Sequence, residues 1–151
     1  MRVLAILTMV LAFAAPALAA KTITGPAYTL VLTLSDKAAA KLAESHEQVH
    51  INGHYFGEAR RASDGDEMGE VHLGDEDKDV PGAGSYSMGK ARIDAKGMAK
   101  IKAKEPDLLI NVYTSRKVFP DNLFDCGIFQ DQVSVAAKSG IAIACKLIGE
   151  P

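Results

Sequence analysis

The sequence predicts a mainly β chain: a single-domain antiparallel β-sandwich carrying two short helical insertions. Three observations lead there. Seven short stretches alternate apolar and polar residues, the period of a strand with one buried face. Gly, Pro, Asp and Asn gather between them, where a chain must turn. Two further stretches have helix-forming composition and a capping residue in front. An α+β layer fold is the alternative arrangement of the same elements.

Residues 1–19 come first and read as a secretory signal peptide. Arg2 supplies the positive start, Leu4 to Ala15 an apolar run broken only by Thr8, and Ala17-Leu18-Ala19 the small-x-small cleavage pattern. Cleavage is expected after Ala19, with Ala20 as the alternative. Pro16 stops the run short of the roughly 20 apolar residues of a membrane span, so no membrane span is expected. Residues 20–151 remain, the size of one ordinary domain. The expected location is secreted or periplasmic.

Tyr28 to Leu34 is the first clean strand, with Tyr28, Leu30, Leu32 and Leu34 on one face and Thr29, Val31 and Thr33 on the other. Ser35 then caps a helix from Asp36 to Glu44. Val49, Ile51, Gly53 and Tyr55 mark the next strand, through Phe56. The polar stretch Glu58 to Gly69 reads as an exposed loop, Glu70 to Gly74 as a short strand and Asp75 to Asp79 as an acidic turn. After the flexible 80–84 connection, Tyr86 to Ile93 is a strand. Asp94 caps a second helix with Met98 and Ile101 inward and Lys96, Lys100, Lys102 and Lys104 outward, stopped by Pro106. Leu108 to Ser115, Asn122 to Phe129 and Ile141 to Ile148 complete the strands.

Two cysteines, Cys126 and Cys145, are expected to pair in an oxidising compartment. Cys126 shares a face with Phe124 and Ile128, and Cys145 with Ile143 and Leu147, so both thiols face the apolar layer of neighbouring strands. Lacking a CxxC spacing, they read as a structural bridge rather than a redox pair.

The formal charge of −2 excludes a general nucleic-acid binder, which needs a basic face to displace phosphate counterions. Lys90, Arg92 and the lysines of the second helix could form a basic strip opposite the acidic loops, steering a charged partner without naming one. His46, His50 and His54 recur every fourth residue, but on a strand His50 and His54 stand about 13–14 Å apart, too far to share an ion. A neighbouring strand could bring His72 or Glu70 to one of them. The candidate divalent-metal set, for calcium or zinc, is therefore Asp64, Asp66, Glu70, His50 and His72. The bland alternative is a pair of solvated acidic loops beside a half-exposed strand.

The stretch 111–122 mixes aromatic, basic and turn-forming residues between two strands. Loops at a sandwich end carry recognition, and aromatics and arginine supply contact energy. The candidate partner-binding residues are Tyr86, Arg116, Lys117 and Phe119, against the alternative that Phe119 packs under the sheet edge. Ser85, Ser87, Ser115 and Ser134 stand in no nucleophile motif. The resulting expectation is a small exported, non-catalytic binding or protein-interaction domain without a cofactor, contacting an unspecified protein or small ligand. A divalent-metal-binding exported protein is the first alternative, a hydrolase of unassigned type the second.

Overall fold

The structure, a computed structural model, describes residues 21–151; the expected signal peptide lies outside the described residues. In chain order the first elements are β1 (Thr22–Thr24), β2 (Tyr28–Leu34), α1 (Asp36–Ser45) and β3 (Val49–Glu58). A 3₁₀ turn at Ala62–Asp64 precedes β4 (Glu70–Val80), β5 (Gly84–Met88), β6 (Arg92–Asp94) and α2 (Ala95–Met98). Then follow β7 (Asp107–Thr114), β8 (Phe124–Cys126), β9 (Phe129–Gln132), α3 (Val133–Ser139) and β10 (Ile141–Leu147).

The chain is mainly β and sandwich-like. One four-stranded sheet runs β5-β2-β10-β8, the other β4-β3-β7-β9, and β1 pairs with β6 as a separate ribbon. Alternation dictates the core: Tyr28, Leu30 and Leu32 of β2 and Ile141 and Ile143 of β10 turn inward, as do Val49, Ile51, Leu108 and Ile110 of the second sheet. Burying each such aliphatic side chain stabilises the fold by about 1.5–3 kcal/mol. Every named strand pair is antiparallel except β2–β10. The chain enters β10 from β9 of the other sheet through α3.

Several elements differ in extent from expectation, each for a local reason. The stretch Asp75 to Asp79 is not a turn but the second half of β4, paired with β3 through Val80. Its odd-numbered aspartates face outward, while Glu76 and Lys78 on the other side are tied to Tyr55, Gly89 and Ser87. The second helix keeps its Asp94 cap, whose side chain accepts from the Lys96 and Gly97 amides, but it ends at Met98. Beyond it, Ile101 bridges to Ala59, and the Lys100 carbonyl and Lys102 amide bond to Arg60 and Glu58, so the chain joins the end of β3 instead of coiling on. The 86–93 and 122–129 stretches each break into two strands, β5 with β6 and β8 with β9. β1 and α3 are additional elements.

Cys126 and Cys145 stand directly opposite each other in the β8–β10 pair and are joined as a disulfide. Cys145 is buried beside Ile143, as parity requires; Ile128 lies past the end of β8 and is exposed. The bridge spans 19 residues, a closure that stabilises by about 3 kcal/mol through the unfolded chain. A Cys126→Ala/Cys145→Ala protein should show that loss in urea unfolding at unchanged native circular dichroism. An unchanged midpoint would mean the bridge contributes nothing to stability.

Candidate functional site

The β7–β8 connection follows a strand whose last residue, Thr114, is fully buried. Thr114 and Asn122 fasten its two ends: Asn122 Oδ1 accepts from the Thr114 and Phe124 amides at 3.0 Å each, and Thr114 Oγ1 accepts from the Leu123 amide at 3.1 Å. The tip is held by a second group, Glu47, which sits between the end of α1 and the start of β3 and is only 3% exposed. Its Oε1 accepts from Ser115 Oγ at 2.6 Å and the Gln48 amide at 2.9 Å; its Oε2 accepts from the Val118 and Phe119 amides at 2.8 and 3.1 Å. Desolvation pushes this carboxyl's pKa up. The Ser115 hydroxyl and the Gln48, Val118 and Phe119 amides outweigh it and hold the group at about 2.

On this anchored loop Arg116 adopts a left-handed backbone, φ 59°, which costs a side-chain-bearing residue roughly 1–2 kcal/mol. Its guanidinium lies 5.4 Å from the Tyr113 ring centroid, and among the described residues no carboxylate pairs with it. Lys117 is engaged, its Nζ reaching Asp79 Oδ2 and Gln48 Oε1 at 2.6 Å each. Val118 is 51% exposed. Phe119 is half-buried, with Lys41 Nζ of α1 5.0 Å from its ring centroid. Tyr86 stands on the other sheet, where its hydroxyl donates to the Gly82 carbonyl at 2.6 Å. An open groove of about 360 Å³ lies between α1 and the 81–83 turn, lined among others by Leu42, His46, Glu47, Pro81 and Gly82; the 115–119 residues do not line it.

The outer face of β3 and β4 carries a second arrangement. His50 bridges two aspartates, Nδ1 to Asp79 at 2.7 Å and Nε2 to Asp77 at 3.1 Å, while Asn52 Nδ2 donates to Asp77 at 2.8 Å. Further along, His54 Nδ1 and His72 Nε2 each lie 2.8 Å from a different oxygen of Asp75. The Lys117 and His50 contacts hold the Asp79 carboxyl below its ordinary range. For Asp75, desolvation acts upward, but the two histidines outweigh it and lower the group.

Compared with known proteins, the chain matches no family model, no curated protein and no solved structure. Arg116, Lys117 and Phe119 share one anchored loop, and Tyr86 is placed elsewhere. The five residues of the candidate metal set are divided among four places. Asp64 pairs with Arg61 at 2.7 Å and Asp66 accepts from the Met68 and Glu70 amides, so both hold the 59–70 loop together. Glu70 opens β4 opposite Glu58. His50 lies in the Asp77–Asp79 pair, and His72 joins His54 and Asp75. Two residues that organise these arrangements, Glu47 and Asp75, carry no motif in the sequence; the sole hint for Glu47 is an acid stranded between a helix end and a strand.

Proposed function

We propose that this is an exported, non-catalytic binding protein whose recognition element is the 115–119 loop, and that its partner presents an acidic peptide segment with an apolar residue beside it. One observation carries the reading: a carboxylate withdrawn from solvent is committed to fixing a loop that itself buries little. A buried charge is costly unless its hydrogen bonds are complete. Here the return is conformational, because a loop already ordered loses less entropy on binding. Arg116 is held in a strained backbone with its charge uncommitted, and strain of that kind gathers at functional sites. Arginine stacked on an aromatic ring is suited to receive a carboxylate. The exposed Val118 supplies apolar contact. The signal-like first 19 residues and the Cys126–Cys145 bridge support a location outside the cytoplasm. Among the described residues no helix is long and apolar enough to cross a membrane.

Fluorescence anisotropy with labelled Asp/Glu-rich peptides tests this. Acidic peptides should bind, and basic or neutral peptides of equal length should not. Arg116→Glu should weaken binding at least tenfold, whereas Lys138→Glu on α3 should leave it unchanged. Equal binding by the Arg116→Glu protein, or none by any acidic peptide at millimolar concentration, defeats the proposal.

A further inference from the structure

The outer face of β3 and β4 supports an inference that goes beyond the loop and stands or falls separately from it. We propose that His54, His72 and Asp75 form a binding site for one divalent transition-metal ion of the zinc and copper class. Each residue offers one ligand atom, and the three atoms lie within 4.8 Å of one another. An ion about 2.0–2.2 Å from each donor requires only side-chain rotation from there. All three side chains have that freedom, with exposures of 33%, 57% and 40% for His54, His72 and Asp75.

The site is a product of the backbone. By strict alternation His72 would share a face with Gly74 and Glu76, opposite Asp75. The register between β3 and β4 shifts at Tyr55/Phe56, so Tyr55 pairs with Gly74 and Phe56 with His72, and Leu73 is the extra residue. Leu73 and Gly74 then both turn inward, and His72 and Asp75 flank the bulge on the outer face. His54, directly across from Asp75, completes the set. Its ring stacks on His72, centroids 5.0 Å apart, and on Phe56 at 5.5 Å, which brings the imidazoles side by side.

The donors select the metal. Two imidazole nitrogens and one carboxylate suit zinc or copper, whereas calcium and magnesium prefer oxygen throughout. The remaining coordination positions face solvent and would take water. The neighbouring His50 makes the contrast clear. Both of its ring nitrogens are already spent on two aspartates, and those aspartates also hold Asn52 and Lys117. Asp75 has no lysine, arginine or asparagine among its side-chain partners in the described residues; its partners are the two histidines.

Isothermal titration calorimetry of purified, tag-free protein with zinc, copper(II) and calcium salts tests the site. Zinc or copper should bind at one equivalent with micromolar affinity, and calcium should give no saturable heat. His54→Ala, His72→Ala and Asp75→Ala should each weaken binding at least tenfold with native circular dichroism retained, while His50→Ala should not. With copper(II), electron paramagnetic resonance should show two nitrogen donors, falling to one in either histidine variant. Absence of saturable zinc or copper binding, equal binding of calcium, or affinity lost equally in His50→Ala would overturn the assignment.

Discussion

Replacing Glu47 by glutamine is expected to destabilise the protein by about 3 kcal/mol and to release the 115–119 loop. The carboxylate accepts from one hydroxyl and from the Gln48, Val118 and Phe119 amides while almost wholly removed from water. A glutamine fills the same volume, but its amide nitrogen cannot accept, so backbone donors on one side lose their partner. Hydrogen bonds to a charged group contribute about 1.5–3 kcal/mol each, and buried donors left without one cost about 1–3 kcal/mol. The same group gives an acid dependence whose sign is fixed. Its pKa is lowered from 4.5 in the unfolded chain to about 2 in the fold. Its contribution is therefore complete above about pH 4.5 and is lost as pH falls toward 2, a total on the order of 3 kcal/mol. Other carboxylates with lowered values, among them Asp64, Asp66 and Asp79, titrate in the same direction in both proteins. The difference between wild type and Glu47→Gln isolates this one group. Urea unfolding at pH 7 and at steps down to pH 2 should show the two curves converging with acid. Parallel curves would mean that Glu47 does not anchor the loop.

Gly74→Ala should be comparably damaging, at about 2–4 kcal/mol, and should distort the His54, His72 and Asp75 arrangement. Gly74 has φ +152°, where side chains are strained, and a Cβ there would meet the Arg92 carbonyl oxygen at 2.7 Å. That oxygen belongs to backbone in β6, so relief requires moving the ribbon or undoing the bulge. The expected readout is a lowered melting temperature together with altered imidazole resonances for His54 and His72, while His50 stays unchanged. A variant with native stability and unaltered histidines would show that the bulge does not depend on glycine.

The fold was legible wherever side-chain parity ran unbroken. The alternation in 28–34 and 49–55 placed Tyr28, Leu30, Leu32, Val49 and Ile51 in the core, and the same parity turned Cys126 and Cys145 toward the apolar layer, where they are bridged. It failed at Leu73 and Gly74. One extra residue there reverses the faces of everything after it, so Asp75, Asp77 and Asp79 looked like an acidic turn rather than the solvent side of a strand facing His54, Asn52 and His50. The partners of these aspartates are cross-strand, and charge composition along one segment does not reveal them. The recognition loop was visible through Arg116, Lys117 and Phe119. Its anchor was not, because Glu47 lies some seventy residues away in sequence and meets the loop only through tertiary structure. Val133–Ser139 was missed as a helix for a related reason: its seven residues have a weak pattern of their own, with Val133 and Ala136 buried against the rest of the core.

If the ordered 115–119 loop is the surface that receives a partner, an acidic peptide must perturb that loop before any other part of the molecule. A two-dimensional amide NMR titration of the protein with an acidic peptide tests it most directly. The largest chemical-shift changes should fall on residues 113–119, including the Val118 and Phe119 amides that Glu47 holds, with the strands of the other sheet unmoved. Changes centred on the outer face of β2 and β10, or none at saturating peptide, would contradict it.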